Sequence, residues 1–336
     1  MKPILKWAAL VLGGLVALGV FAVGFVYFSA GSRMGRTYEI DPAPMNLAQA
    51  PTSNGAQEDG SGNGERASGP RETGNEGLDG TLDTSTNAAL AWGKHIAITR
   101  GCADCHGGDL GGGVFAEAMP VFNLYGSNLT PGGVGADYSD VDWVRAIRHG
   151  IGPDGKPLLF MPSFEYYYLS DQDLASLILY LRSLPAVDRQ MPENAVGPMG
   201  RILFMTGKLP LLSAELIDHG APRPVAPPRG ATVDYGAYLA KGCIGCHGEN
   251  LSGGPVPGTP PDWPPALNIT QDLDTGIGSW TRDDFFRAMR QGQRPDGTQL
   301  RPEFMPWPNV GTLYDDELEA LWRYLEQVEA RPFGGR

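Results

Sequence analysis

The chain is short of several things that most chemistry needs. It has four cysteines and five histidines in 336 residues. All four cysteines fall in two short motifs, so none remains for a structural disulfide or a thiol nucleophile. Positive charge is also scarce: 26 Lys and Arg against 38 Asp and Glu leave a formal −12. That balance excludes a basic face for nucleic acid. No P-loop, Ser-His-Asp set or paired carboxylates stand out, so no bond-making centre is evident. From about Gly31 to Thr86 large apolar side chains are few, and Gly, Ser, Asn, Pro and acids dominate. Such a stretch buries too little apolar surface to order itself.

What is there is a pair of cysteine motifs. Cys102-Ala103-Asp104-Cys105-His106 and Cys243-Ile244-Gly245-Cys246-His247 are both C-x-x-C-H, the haem-attachment signature. Two thiols three residues apart each add to one vinyl group of the same haem. The adjacent His106 or His247 then reaches the iron as proximal ligand. Two covalently bound haem c groups are therefore expected. Zinc is the alternative for C-x-x-C with His, but it needs a fourth ligand in each copy.

The motifs open two copies of one repeat. Each continues with a Leu and a Gly pair, at Leu110 and Leu251. Asn128-Leu129-Thr130 matches Asn268-Ile269-Thr270, and Arg145 to Gly150 matches Arg287 to Gly292. Phe160-Met161-Pro162 matches Phe304-Met305-Pro306. Each copy closes with an amphipathic helix, Ser170 to Leu184 and Tyr314 to Val328, with Ser170 and Asp173 resembling a capping box. Thr281 with Asp284 caps another helix, and short helices are expected at Leu90 to Arg100 and Tyr235 to Lys241. The chain between haem and methionine reads as Gly- and Pro-rich loop. Units of this kind hold too little apolar side chain for a core of their own, so haem is expected to complete it.

The matched methionines are the candidate distal ligands. Met161 lies 55 residues after His106 and Met305 lies 58 after His247, each followed by a proline that holds the loop extended. Met119 and Met191 lack a counterpart. His95, His149 and His219 also lack one and read as surface or packing residues. Asn128 and Asn268 are expected to contact a propionate or to pin the loop beneath the haem. Arg145, Arg148, Arg287 and Arg290 are further propionate candidates. Tyr138, Tyr166, Tyr167, Tyr168 and Trp280 are expected beside the haems.

Trp7 to Ala30 carries no charge and is long enough to span a bilayer, with Lys2 and Lys6 ahead of it. It reads as an uncleaved anchor, its start cytoplasmic; the rival reading is a cleaved signal peptide, whose apolar region is normally only about 7–15 residues. The expected organisation is anchor 1–30, flexible tether 31–86, first haem domain 87–186, inter-domain segment 187–232, second haem domain 233–330 and tail 331–336. A short helix within 200–212 is expected to pack across the two domains.

These residues resemble the dihaem class I cytochrome c family, from about Leu90 to Gln327. More narrowly, they look like the periplasmic cytochrome c subunits of membrane-bound alcohol, aldehyde or sugar-acid dehydrogenases. The likeness rests on C-x-x-C-H-G, Leu-x-Gly-Gly, Asn-x-Thr, Thr275 to Trp280, Asp-Gly, Met-Pro and the closing helix. The chain departs from those subunits in having two haem motifs where three are common, and in its anchor and tether. The resemblance implies a mainly α fold, with two tandem cytochrome c-like domains wrapped around covalent haem. It implies an electron carrier, not an enzyme, on the periplasmic side of a bacterial inner membrane. The implied donor is a membrane dehydrogenase or quinol-oxidising complex, and the acceptor a terminal oxidase or soluble cytochrome. The alternative is a dihaem redox enzyme with one open haem, peroxidase-like or thiosulfate-oxidising, or a haem redox sensor. Two matched methionines and the lack of a spare cysteine weigh against the enzymes.

Overall fold

The computed structural model describes residues 2–42 and 84–335. Helix α1 (Lys2–Met34) takes up the uncharged stretch and runs past it. Its segment Leu10–Met34 has a mean hydropathy of 2.4, long and apolar enough to cross a membrane. Gly31 to Met34, assigned by sequence to the tether, continue this helix. Residues 36–40 then lie along the first copy of the repeat. Tyr38 N donates to the Gly155 carbonyl at 2.9 Å, and Arg145 Nε donates to the Ile40 carbonyl at 3.1 Å. Most of the expected tether, 43–83, lies outside the described residues.

The first copy contains α2 (Thr84–Thr99), α3 (Cys102–His106), strands β1 (Gly111–Ala118) and β2 (Phe122–Asn128), α4 (Val134–Asp137), α5 (Asp140–His149), α6 (Ser163–Tyr166) and α7 (Asp171–Arg182). Then come β3 (Ala195–Val196) and α8 (Pro198–Met205). The second copy contains α9 (Val233–Ala240), α10 (Ile244–His247), α11 (Arg282–Gln291), α12 (Trp307–Val310) and α13 (Asp315–Leu325).

The helices form for the same local reasons in both copies. Ser139 with Asp142 opens α5 in a capping box, and Thr281 with Asp284 opens α11 in another. Both helices end at a left-handed glycine, Gly150 and Gly292. Trp143, Leu174, Ile178 and Leu181 centre one hydrophobic cluster. Phe285, Leu318, Leu321 and Trp322 centre the other. In each, the closing helix crosses the helix before the motif at a glycine. A Cβ on Gly93 would collide with the Ser176 carbonyl, and one on Gly236 with the Ala320 carbonyl. Only glycine lets the backbones approach that closely.

Part of the expected loop after the first haem motif is instead a hairpin. β1 pairs antiparallel with β2, from Gly111 opposite Asn128 to Ala118 opposite Phe122, with a bulge between Val114 and Ala116. β3 adds a third strand. The corresponding stretch of the second copy carries Pro255, Pro257, Pro260, Pro261, Pro264 and Pro265. Proline has no N–H for a ladder, and a single bridge, Gly254 with Ala266, forms there.

The copies meet through a pseudo-twofold arrangement. The third residue of each closing helix, Asp173 or Glu317, is a buried acid. Within its own copy, Asp173 accepts from Trp92 Nε1 at 2.7 Å and Glu317 from the Tyr235 hydroxyl at 3.3 Å. From the other copy, Tyr238 donates to Asp173 at 2.5 Å and His95 Nε2 donates to Glu317 at 2.6 Å. Trp92 and Tyr235 each precede the crossing glycine by one residue; His95 and Tyr238 follow it by two. His95 therefore has a counterpart after all, Tyr238, and both are interface donors. This also explains why Ser170 and Asp173 make only half a capping box. Ser170 Oγ accepts from Asp173 N, but the Asp173 carboxylate is held by Trp92, Tyr238 and Arg229.

The helix expected to bridge the two domains sits elsewhere. α8 packs on α1 and on first-copy residues, with Phe204 in a cluster that includes Ala30, Val121 and Phe160. The chain after it, at Leu209 and Pro210, reaches Gly258 in the second copy.

Candidate haem sites

In both copies a short helix presents the cysteines and histidine on one turn. A left-handed glycine ends it, Gly107 (φ 79°) or Gly248 (φ 83°). Leu110 and Leu251 follow with φ of 56° and 62°, a conformation unusual for leucine. Each is buried, donates to the carbonyl of that glycine, and accepts from Leu129 N or Ile269 N. The chain after the motif is thereby locked against the Asn-x-Thr loop.

That loop orients the histidine. His106 Nδ1 donates to the Ser127 carbonyl at 2.8 Å, and His247 Nδ1 donates to the Leu267 carbonyl at 2.7 Å. A proton on Nδ1 puts the lone pair on Nε2, the nitrogen that faces a metal. Burial lowers the pKa of His106 despite the Ser127 bond, which favours the neutral, ligating form. The asparagines hold the loop itself. Asn128 Oδ1 accepts from Thr130 N and Oγ1, while its Nδ2 donates to the Val187 and Arg189 carbonyls. Asn268 Oδ1 does the same with Thr270, and its Nδ2 donates to the Arg331 carbonyl and to Thr275. Both tie the loop to the chain that leaves the closing helix.

The matched methionines lie on the same cavities as the histidines. A cavity of about 370 Å³ in the second copy is lined by Cys243, Cys246, His247, Trp280 and Met305. In the first copy two smaller cavities, about 80 and 100 Å³, both touch Cys105, His106 and Met161. Tyr138 and Tyr166 line the former, whereas Tyr167 and Tyr168 turn away to the Asp218 carbonyl and Lys241. The linings suit haem: apolar walls, two thiols on one turn and a nitrogen and a sulfur donor. They suit zinc poorly. Burial pushes the Cys102 thiol up to about 12 and those of Cys105 and Cys243 to about 11. Among the described residues no three His, Cys, Asp or Glu side chains group to hold a metal.

The four arginines singled out in sequence are engaged with protein. Arg148 pairs with Asp171, Arg287 with Asp284, Arg290 with Asp315, and Arg145 with Asp142. Arg294 and Arg301 line the second cavity instead, and Arg100 the first. His149 and His219 bond to each other, Nδ1 to Nδ1 at 3.0 Å. Burial and the neighbouring His219 hold His149 down at about 4. A cavity of about 410 Å³ between the copies touches both Cys105 and Cys243, with Arg100, Glu165 and Tyr166 on its wall. No motif or periodicity in the sequence marks Glu165. It packs against Gly245 of the second motif, while Asn309 Nδ2 donates to Asp104 of the first at 2.8 Å.

The model of the family described as Cytochrome c matches residues 90–185 and 233–329, more than half of the chain. The chain belongs to the cytochrome c family. It carries two covalently bound haem c groups. Among relatives, a nicotinate dehydrogenase subunit of Pseudomonas putida is 30% identical over 274 residues, 73% of this chain and 22% of that protein. The fructose dehydrogenase cytochrome subunit of Gluconobacter japonicus is 28% identical over 271 residues, 74% of this cytochrome and 54% of the subunit. A diheme cytochrome c-type of Cereibacter sphaeroides is 27% identical over 275 residues, 71% and 85% of the two chains. The match spans about half of the fructose dehydrogenase subunit and under a quarter of the nicotinate dehydrogenase subunit.

Proposed function

We propose that this cytochrome is a single-pass, membrane-anchored dihaem carrier on the periplasmic side of a bacterial inner membrane. It takes single electrons from a membrane dehydrogenase or quinol-oxidising complex and passes them to a terminal oxidase or soluble cytochrome. The relatives named as dehydrogenase subunits support the donor. The apolar α1, with Lys2 and Lys6 at its start, supports the anchor. Residues 87–186 and 233–330 each act as a helical domain wrapped around one haem, and 187–232 links them.

Haem supplies the one-electron chemistry. The chain supplies attachment, orientation and dryness. Cys102 and Cys105 hold one group, Cys243 and Cys246 the other. His106 and His247 offer Nε2, and Met161 and Met305 offer sulfur from the same cavities. Methionine sulfur as a second iron ligand beside histidine would raise the potential, and Asn128 and Asn268 keep the histidine-orienting carbonyls in place. The observation that carries this reading is the recurrence, in both copies, of one cavity wall shared by the cysteine pair, histidine and methionine.

Carbon monoxide should leave the spectrum of the reduced, detergent-solubilised protein unchanged. Met161→Ala or Met305→Ala should each admit carbon monoxide at one iron. Each should also lower one potential by on the order of 0.1 V, within the ~0.8 V that axial ligands command. Carbon monoxide binding by the unaltered protein, or unchanged potentials in the variants, would remove the methionine assignment.

A further inference from the structure

The outer end of α1 is clasped by protein. Ala30 is fully buried with Phe204, Leu209, Leu211 and Leu212. Arg33 Nε donates to Glu215 at 2.9 Å, and its guanidinium lies 4.0 Å from the Phe204 ring centroid. About one turn before Ala30, the Arg201 guanidinium lies 4.9 Å from the Tyr27 ring centroid. Protein thus covers one face of α1 from Tyr27 outward, while Phe28, 79% exposed, ends the fully lipid-accessible stretch. Below, Leu18, Phe21 and Phe25 are exposed. Trp7 to Tyr27 is about 30 Å of helix at ~1.5 Å per residue, the thickness of a hydrocarbon core. Tyr27 therefore marks the outer boundary, the level at which tyrosine rings settle.

α8 starts at that level. Arg201 meets Tyr27, while Phe204 and Met205, a turn later, meet Arg33. The helix thus runs outward along α1 with its first turn nearest the lipid. Gly197, Gly200 and Phe204 form its buried face, the two glycines pressed on the Pro120 and Val121 carbonyls. Met199 and Ile202, three residues apart, are 45% and 43% exposed. Met119, 51% exposed, stands beside them; Met199 N donates to the Pro120 carbonyl at 3.1 Å.

We propose that Met119, Met199 and Ile202 form a second membrane contact, a tip seated among the headgroups of a phospholipid bilayer beside α1. The proposal rests on reading α1 as a spanning helix. Lipid is the occupant because α8 packs beside α1 and its first turn lies at the depth where the exposed apolar surface of α1 ends. An apolar tip of this kind sinks about 5–10 Å into the boundary. One helix alone leaves the haem domains free to tilt. Two contacts, with Arg33 bonded to Glu215, hold the first haem at a fixed height above the membrane.

The test uses the full haem-loaded chain in phosphatidylethanolamine–phosphatidylglycerol nanodiscs. Single spin labels are placed at Met199→Cys, Ile202→Cys, Phe21→Cys in α1 and Leu273→Cys on the second copy, the native cysteines being tied up in thioethers. Collision with oxygen and with a water-soluble nickel chelate reports depth. The expected result is a shift towards oxygen at 199 and 202 relative to 273, with 21 deepest. A lipid signal at 21 with water-like signals at 199 and 202 would overturn the tip while leaving the span intact. A water-like signal at 21 would overturn the span, and the tip with it. Met119→Cys, on the adjoining turn, reads the same surface without altering α8.

Discussion

The two copies of the repeat agree where they hold haem and differ where they meet the rest of the molecule. Both cross their helices at a glycine, lock a left-handed leucine behind the motif and set the histidine with a loop carbonyl. Between motif and Asn-x-Thr they diverge: β1 and β2 in the first, a proline-rich loop in the second. The consequence is visible on the outside. Val121, Phe122 and Val196, from the hairpin and its third strand, join the cluster that receives Ala30 of α1 and Phe204 of α8. The second copy has no such sheet, and α1 and α8 do not dock on it. The ligand-presenting frame is thus shared, and the loop it leaves unconstrained has become the platform for the anchor.

The sharpest way to break the shared frame is at the crossing glycines. Gly93→Ala and Gly236→Ala each force a Cβ into a backbone carbonyl that cannot turn aside. Overpacking costs about 1–3 kcal/mol, more where backbone must move. Both variants should lose stability at the upper end of that range or fail to fold. Denaturant midpoints followed by haem absorption measure it. An alanine tolerated in either copy would mean that the helices are not held at this distance.

The acid clamps come next. His95→Ala removes a buried partner from Glu317, leaving the Tyr235 hydroxyl at 3.3 Å and the Tyr314 amide. Loss of such a partner costs about 1–3 kcal/mol. Tyr238→Phe should cost a similar amount, about 1–3 kcal/mol: Asp173 retains Trp92 and Arg229, but the Ser170 amide loses the hydroxyl to which it donates at 2.9 Å. Denaturant midpoints of the two variants measure both losses, and no loss in either would mean that its clamp does not hold the copies together.

The parts of this molecule that sequence revealed are those set by neighbours in the chain. Motif spacing, capping residues and apolar periodicity placed α7, α11 and α13 within a few residues of their bounds. The hairpin was hidden because Gly111-Gly112-Gly113 and Gly126 read as loop, and because its third strand comes about 70 residues later. The role of His95 was hidden because its counterpart is Tyr238, a different residue type that donates the same hydrogen bond. Glu317 lies 222 residues from His95, and no local pattern joins them. α8 was legible as a helix, but the face it packs on was not, since an apolar stripe does not say which surface will cover it.

The smallest expected effect lies where the copies fill one geometry with different chemistry. Four residues past each methionine stands Glu165 or Asn309, and each reaches the third residue of the other copy's motif. Glu165 packs on Gly245; Asn309 donates to Asp104. Burial pushes Glu165 up to about 7, and Arg100 offsets this only in part. Its folded pKa therefore stands above the ~4.3 of an unfolded glutamate. Between those values the native state binds the extra proton, so stability from this group is full below about pH 4 and is lost as pH rises through 7. Glu165→Gln keeps the shape and removes the titration. Its midpoint should fall less than that of the unaltered protein between about pH 5 and 8. Asn309→Ala, at an exposed bond, should cost under about 1 kcal/mol with no pH dependence of its own. Parallel pH profiles for Glu165→Gln and the unaltered protein would show that Glu165 is ionised throughout. The two sides of the interface would then differ in shape alone.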